Sequence, residues 1–248
     1  MADDDINDHL ILISGQSASG KSASLAQLRN QERVMYLNCE AGKRLPFRNK
    51  FKTFVITDPY EVHQAFEHAY QNPDIDVIVV DSLTFLMDMF ESLYIYQAAD
   101  TMAGWANYAQ FFKRLMQHHV ASSDKAVIIL AHTRTDHDEA TSSMHTSVPI
   151  KGALKNNGIE SYFSTVASTK KVPLKDLKDY ANGLLHISEQ DELLGYKHVF
   201  QTQLTKTTVG ERIRSPMGMF TRQETFIDND CQSLLDHLQE YYGEAEAA

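Results

Sequence analysis

The sequence predicts a three-layer α/β fold with a mostly parallel central sheet, and three observations predict it. Strand-like and helix-like segments alternate along the 248 residues. Several strand-like segments are unbroken apolar runs, as in Val77-Ile78-Val79-Val80, the pattern of strands covered on both faces. The helix-like segments carry one apolar stripe each, as a layer packed on a sheet requires.

Each element follows from its residues. Strands are expected at 9–14, 33–38, 52–57, 76–81 and 125–132. Residues 22–31, SASLAQLRNQ, read as a helix behind the first strand. Val62, Ala65, Phe66, Ala69 and Tyr70 form one helical stripe. Trp105, Tyr108, Ala109, Phe112, Leu115 and Met116 form a second, and Cys231, Leu234, Leu235, Leu238 and Tyr241 a third. Residues 133–158 are long, polar and weakly patterned, which suits a functional loop. A further strand is expected at 159–169, then a C-terminal β-hairpin carrying residues 206–214 as strand, turn and strand.

Composition narrows the classes. A hydrophobic content of 43% is ordinary for a globular chain. No apolar run reaches the ~18–20 residues of a membrane span. The start, MADDDINDHL, lacks the basic opening of a signal peptide. Cys39 and Cys231 read as reduced thiols, so a cytoplasmic location is expected. Residues 1–8 are expected as a flexible acidic N-terminus, 9–242 as a single domain and 243–248 as a flexible tail. A net charge of −10 excludes nucleic-acid binding through the bulk field and leaves only local patches.

Ligands of parallel sheets bind beyond the carboxyl ends of the strands, so the strand tips carry the functional information. After the first strand, Gly15-Gln16-Ser17-Ala18-Ser19-Gly20-Lys21-Ser22 fits the phosphate-binding pattern G-x-x-x-x-G-K-[ST]. Small residues let successive amides curl round an anion, and a following helix adds its positive end. Lys21 can reach the β- and γ-phosphates and Ser22 can ligate Mg²⁺; Ser24 is the next hydroxyl beside the loop. Asp81 ends an apolar run and can hold Mg²⁺ as a Walker-B aspartate does. Glu40 ends the second strand, where a carboxylate can polarise water for hydrolysis. The alternative for Glu40 is a solvated turn residue. His132 ends another run and can sense a γ-phosphate; the alternative is an ordinary structural histidine.

Four pieces, GQSASGKS, LNCEAG, VIVVDS and IILAHTRTD, occur in an order that resembles the RecA-like core ATPases. The resemblance spans residues 10–220. Among these ATPases the chain is similar to the small bacteriophage nucleotide-binding proteins associated with single-strand annealing and recombination. The resemblance implies ATP and Mg²⁺ as ligands, Glu40 as the catalytic carboxylate and His132 where the family carries glutamine. It also implies residues 133–158 as a DNA-facing loop, and Lys206, Arg212 and Arg214 as candidate cations for a neighbour's nucleotide. The implied partners are single-stranded DNA, further copies of the chain in a ring or filament, and a single-strand-binding protein or other recombination factor; no membrane partner is implied.

The residues themselves are balanced rather than basic. Arg134, Lys151 and Lys155 of the loop face Asp136, Asp138 and Glu139, with His137 and His145 adding charge only near or below neutral pH. Lys170, Lys171, Lys175 and Lys178 form a denser patch, and Tyr94, Tyr96 and Trp105 offer rings for base stacking or for core packing. Two other readings use the same phosphate loop. One is a nucleotide-gated assembly or loading factor for another DNA enzyme; the other is a small-molecule kinase, which requires an arginine-bearing lid.

Overall fold

The computed structural model describes residues 7–139 and 142–246. Residues 1–6 of the expected acidic start, 140–141 of the expected loop and 247–248 of the expected tail lie outside them. All five N-terminal strands form where the apolar runs place them, to within two residues: β1 (Leu10–Gly15), β2 (Val34–Asn38), β3 (Lys52–Val55), β4 (Val77–Asp81) and β5 (Ala126–His132). They are followed by β6 (Arg134–Asp138), β7 (Ser143–Ser147), β8 (Thr165–Pro173), β9 (Tyr196–Gln201) and β10 (Phe226–Asp228).

An eight-stranded sheet runs in the order β10-β9-β8-β1-β5-β4-β2-β3. Its β8-to-β3 portion is parallel, whereas β9 is antiparallel to both β8 and β10. Alternate residues of β1 face opposite layers. Leu12 joins a core with Val62 and Phe66 of α1 (Tyr60–Gln71), Leu86 of α2 (Leu83–Phe90) and Phe112 of α3 (Thr101–Arg114). Ile11 and Ile13 join a second core with Leu25, Leu28 and the helix Cys231–Glu246, through Leu234 and Leu238. Each fully buried side chain of this size contributes about 1.5–3 kcal/mol, so the two-sided burial of β1 pins its carboxyl end in place. The C-terminal helix continues to Glu246, past residue 242 where the sequence suggests the domain ends. Among the described residues no helix is long and apolar enough to cross a membrane.

Three expectations about local structure are corrected. The segment behind the phosphate loop is no α-helix but a single 3₁₀ turn, Ser22–Leu25, followed by bonds from Ala26 N–H to Ala23 and from Leu28 N–H to Leu25. Ser24 Oγ donates to the Lys21 carbonyl at 2.6 Å and so competes with helical bonding. Leu25 and Leu28, three apart, suit the 3₁₀ period. Residues 133–158 are not one irregular loop: β6 and β7 pair as an antiparallel ribbon. Lys206, Arg212 and Arg214 lie outside any hairpin, in a segment tied down by single bridges between Thr146 and Glu211 and between Val166 and Arg214. The C-terminal antiparallel pairing is made instead by β8, β9 and β10.

Candidate active site

The carboxyl ends of β1, β2, β4 and β5 open on one cavity of about 360 Å³. Ser17, Ala18, Gly20, Lys21, Ser22, Glu40, Asp81 and His132, named separately from sequence, all line it.

The 15–22 loop is shaped by backbone needs. A β-carbon on Gly15 would stand 2.2 Å from Thr169 Oγ1, and one on Gly20 would stand 2.8 Å from Asn229 Nδ2. Gly20 (φ +115°) and Ala18 (φ 59°) both adopt positive φ, the conformation that gathers successive N–H groups on one side of a loop. His198 Nδ1 lies 2.6 Å from the Ser19 carbonyl and Asn229 Nδ2 donates to the Gly20 carbonyl at 2.9 Å, which bolts the loop to β9 and to the turn after β10. With only a short 3₁₀ turn behind it, the loop relies on its own amides and Lys21 for positive potential.

Lys21 is buried. Its Nζ donates to the Gly15 and Gln16 carbonyls at 2.9 and 2.8 Å and lies 3.3 Å from His132 Nδ1. Burial lowers its pKa to about 8, against the opposing pull of Asp81 and Glu40. An ammonium has only donors, so His132 Nδ1 accepts and the ring proton sits on Nε2, which donates to Glu40 Oε1 at 3.0 Å. The backbone N–H of His132 is fixed by Thr84 Oγ1 at 2.8 Å. A continuous path of hydrogen bonds thus joins the loop lysine, the histidine and the carboxylate.

Glu40 also accepts from Ser82 Oγ at 3.2 Å and, on Oε2, from Lys43 Nζ at 2.8 Å. The hydrogen bond from His132, then Lys43, hold its pKa down at about 2 despite burial, so the carboxylate is ionised throughout the neutral range. Asp81 is 2% exposed. Its Oδ2 accepts from Tyr36 Oη at 2.7 Å and Ser22 Oγ at 3.0 Å, while Oδ1 is buried with no partner among the described residues. Burial raises its pKa. An orphaned carboxylate oxygen beside a serine hydroxyl is a hard-oxygen donor set that fits Mg²⁺.

Other candidates fall elsewhere. Ser24 does not line the cavity; its hydroxyl is buried on the Lys21 carbonyl and 3.1 Å from Cys231 Sγ. Gly15, Gln16 and Ser19 face a neighbouring cleft of about 460 Å³, shared with Thr133, Thr169 and Lys171. None of Lys206, Arg212 and Arg214 lines the cavity. Arg212 is committed within the chain, donating to the buried Glu160 at 3.0 Å; no ion pair engages Lys206 or Arg214 among the described residues. Lys151 is held by Glu91 at 2.6 Å, Arg134 by Asp136 at 2.9 Å, and Lys170 by Glu211. Tyr94 and Trp105 pack on Phe90 and Tyr108, whereas Tyr96 is 71% exposed.

Sequence reasoning missed Tyr36, Lys43, Ser82, His198 and Asn229. Lys43 stands three residues after Glu40, a spacing that a turn converts into contact, and Ser82 adjoins Asp81. His198 and Asn229 leave no local signal, since only the folding of β9 and β10 brings them to the loop. A family model described as an AAA domain matches residues 8–210, a stretch that includes every residue lining the cavity. No curated protein matches the chain.

Proposed function

The chain belongs to the AAA domain family, and from that membership we propose that it is a self-assembling, Mg²⁺-dependent ATPase with a RecA-like core that acts on single-stranded DNA in recombination or annealing. The observation that carries the reading is the convergence of Lys21, Ser22, Glu40, Asp81 and His132 on a single cavity at the strand tips.

In this reading the amides of the 15–22 loop and the Lys21 ammonium bind the β- and γ-phosphates, leaving their present carbonyl partners. Ser22 and Asp81 would hold Mg²⁺, which would offset the negative charge of the phosphates. Glu40 is an ionised carboxylate that already accepts a hydrogen bond from the Ser82 hydroxyl, so it can accept one from a water and orient it toward the terminal phosphate. His132 donates to Glu40 and accepts from Lys21, so movement of either residue by a phosphate is transmitted to β6, which begins two residues later. That ribbon and the exposed Tyr96 supply the nucleic-acid contacts, and repetition along an assembly adds weak sites together. Lys206 and Arg214, without ion-pair partners among the described residues, are the cations best suited to a neighbour's nucleotide; Arg212 is not.

Phosphate release measured with and without single-stranded DNA tests the proposal. Turnover should rise with the DNA and fall at least 100-fold in Lys21→Ala, in the range of effects ascribed to phosphate-site groups. Turnover indifferent to DNA, or intact in Lys21→Ala, contradicts it.

One observation favours the loading-factor reading: Glu40 is engaged by His132, Ser82 and Lys43 at once, which suits a passive carboxylate. Glu40→Gln separates the two. An ATPase should keep nucleotide affinity and lose roughly 10²–10⁴ in turnover; a passive module should show the same slow hydrolysis before and after.

A further inference from the structure

Both lysine ammonium groups of the cavity are committed. Lys21 donates to two loop carbonyls and Lys43 to Glu40. The two lysines only offset the two carboxylates, Asp81 and Glu40, so these four groups leave no surplus of positive charge for a ligand. A magnesium-bound triphosphate still brings net negative charge and needs one more cation. The three cations that sequence suggested for this purpose do not reach the cavity from within the chain.

Arg44 does line it. Its side chain is exposed, and no carboxylate pairs with it among the described residues. Local structure holds it there. Ala41 (φ 52°) and Gly42 (φ +74°) reverse the chain after Glu40, and Lys43 N–H closes the turn on the Glu40 carbonyl at 3.0 Å. Asn38 Nδ2 then donates to the Lys43 carbonyl at 2.9 Å. Downstream, Phe47 packs edge-on against Phe51, which contacts the Tyr36 ring. The backbone that carries Arg44 is therefore anchored on both sides, which sets its side chain at the cavity. Guanidinium is the side chain best matched to phosphate oxygens, because it offers paired donors and never loses its charge.

We propose that Arg44 is a phosphate-binding residue of this cavity, donating to the polyphosphate of a nucleotide from within the same chain. This rests on the reading of the cavity as a nucleotide site. It makes the pocket's affinity for polyphosphate a property of the single chain, with any cation from a neighbour acting in addition.

Calorimetric titration of the full chain with Mg-ATP, and separately with Mg-tripolyphosphate, tests this at one fixed salt concentration. The comparison set is the wild type, Arg44→Ala, Arg44→Lys and Lys50→Ala. Lys50 removes the same charge from the same segment but is paired with Glu32 and does not line the cavity. Arg44→Ala should weaken both ligands by roughly ten- to a hundred-fold, the scale of a charged hydrogen bond. Arg44→Lys should recover part of that loss, and Lys50→Ala should stay within about twofold of wild type. Unchanged binding of ATP by Arg44→Ala overturns the assignment. So does a loss confined to ATP with tripolyphosphate unaffected, since Arg44 would then serve the nucleoside. If the wild type binds neither ligand, the nucleotide reading falls and the assignment falls with it, an outcome distinct from equal binding by wild type and variant.

Discussion

Lys21 is the residue at which burial and charge compete most directly. Its ammonium is held by carbonyls and by two nearby carboxylates, yet its pKa is lowered to about 8. Two opposite pH dependences follow. Between about pH 8 and the ordinary lysine value of 10.5, the unfolded chain binds a proton that the native chain does not, so this group makes the unliganded protein more stable as pH rises through that window. Phosphate binding needs the charged form, so ATP affinity should fall with rising pH in the same window, by up to about tenfold per pH unit. Titrations from pH 7 to 10 in Lys21→Arg should be nearly flat, since arginine stays charged. A wild-type affinity that is equally flat would show that the Lys21 charge does not meet the phosphates. Glu40 has the same sign in a lower window: its pKa is held down at about 2, so it contributes stability that is complete above its ordinary value and is lost as acidification passes through pH 2.

At the scale of elements, Glu160 locks the end of the ribbon to the rest of the domain. It is 2% exposed, accepts from Val148 N–H at 2.7 Å on one oxygen and from Arg212 on the other. Glu160→Ala leaves a buried N–H without a partner, so stability should drop by about 2–3 kcal/mol in denaturant unfolding, with faster hydrogen exchange around Val148. An unchanged unfolding midpoint would mean that the ribbon is held by other contacts. Elements of this kind were hard to read from sequence. The β1–β5 strands were legible because unbroken apolar runs can hardly be anything else. β6 (RTDHD) and β7 (SMHTS) are polar, mostly exposed or half-buried, and lack an apolar face, so nothing in their composition announces a ribbon. The 3₁₀ turn after the phosphate loop reads as a helix in sequence because motif and composition suggest one, whereas Ser24 and the three-residue leucine spacing decide otherwise. In the site, Lys21, Glu40, Asp81 and His132 were legible as strand tips. His198, Asn229 and the internal use of Arg212 were not, because each depends on contacts across more than 50 residues of chain.

The whole molecule places an acidic chain of net charge −10 around a cavity lined by three cations, Lys21, Lys43 and Arg44, and two carboxylates, Glu40 and Asp81. Bulk electrostatics then works against polyanions, and recognition of a triphosphate or a DNA strand must come from local geometry: loop amides, presented cations and repetition in an assembly. The proposed nucleotide site is built from a single chain's own residues, while a neighbour's cation and repeated DNA contacts are proposed to come with assembly. The most direct test is electron microscopy of the protein with Mg²⁺ and a slowly hydrolysed ATP analogue, with and without single-stranded DNA. The expected map has the phosphates within the 15–22 loop, Lys21 and Arg44 against their oxygens, Asp81 facing the metal, and protomers joined across the nucleotide. A nucleotide bound away from these residues, or Lys21, Glu40 and Asp81 left in their present contacts beside an empty cavity at saturating analogue, would contradict it.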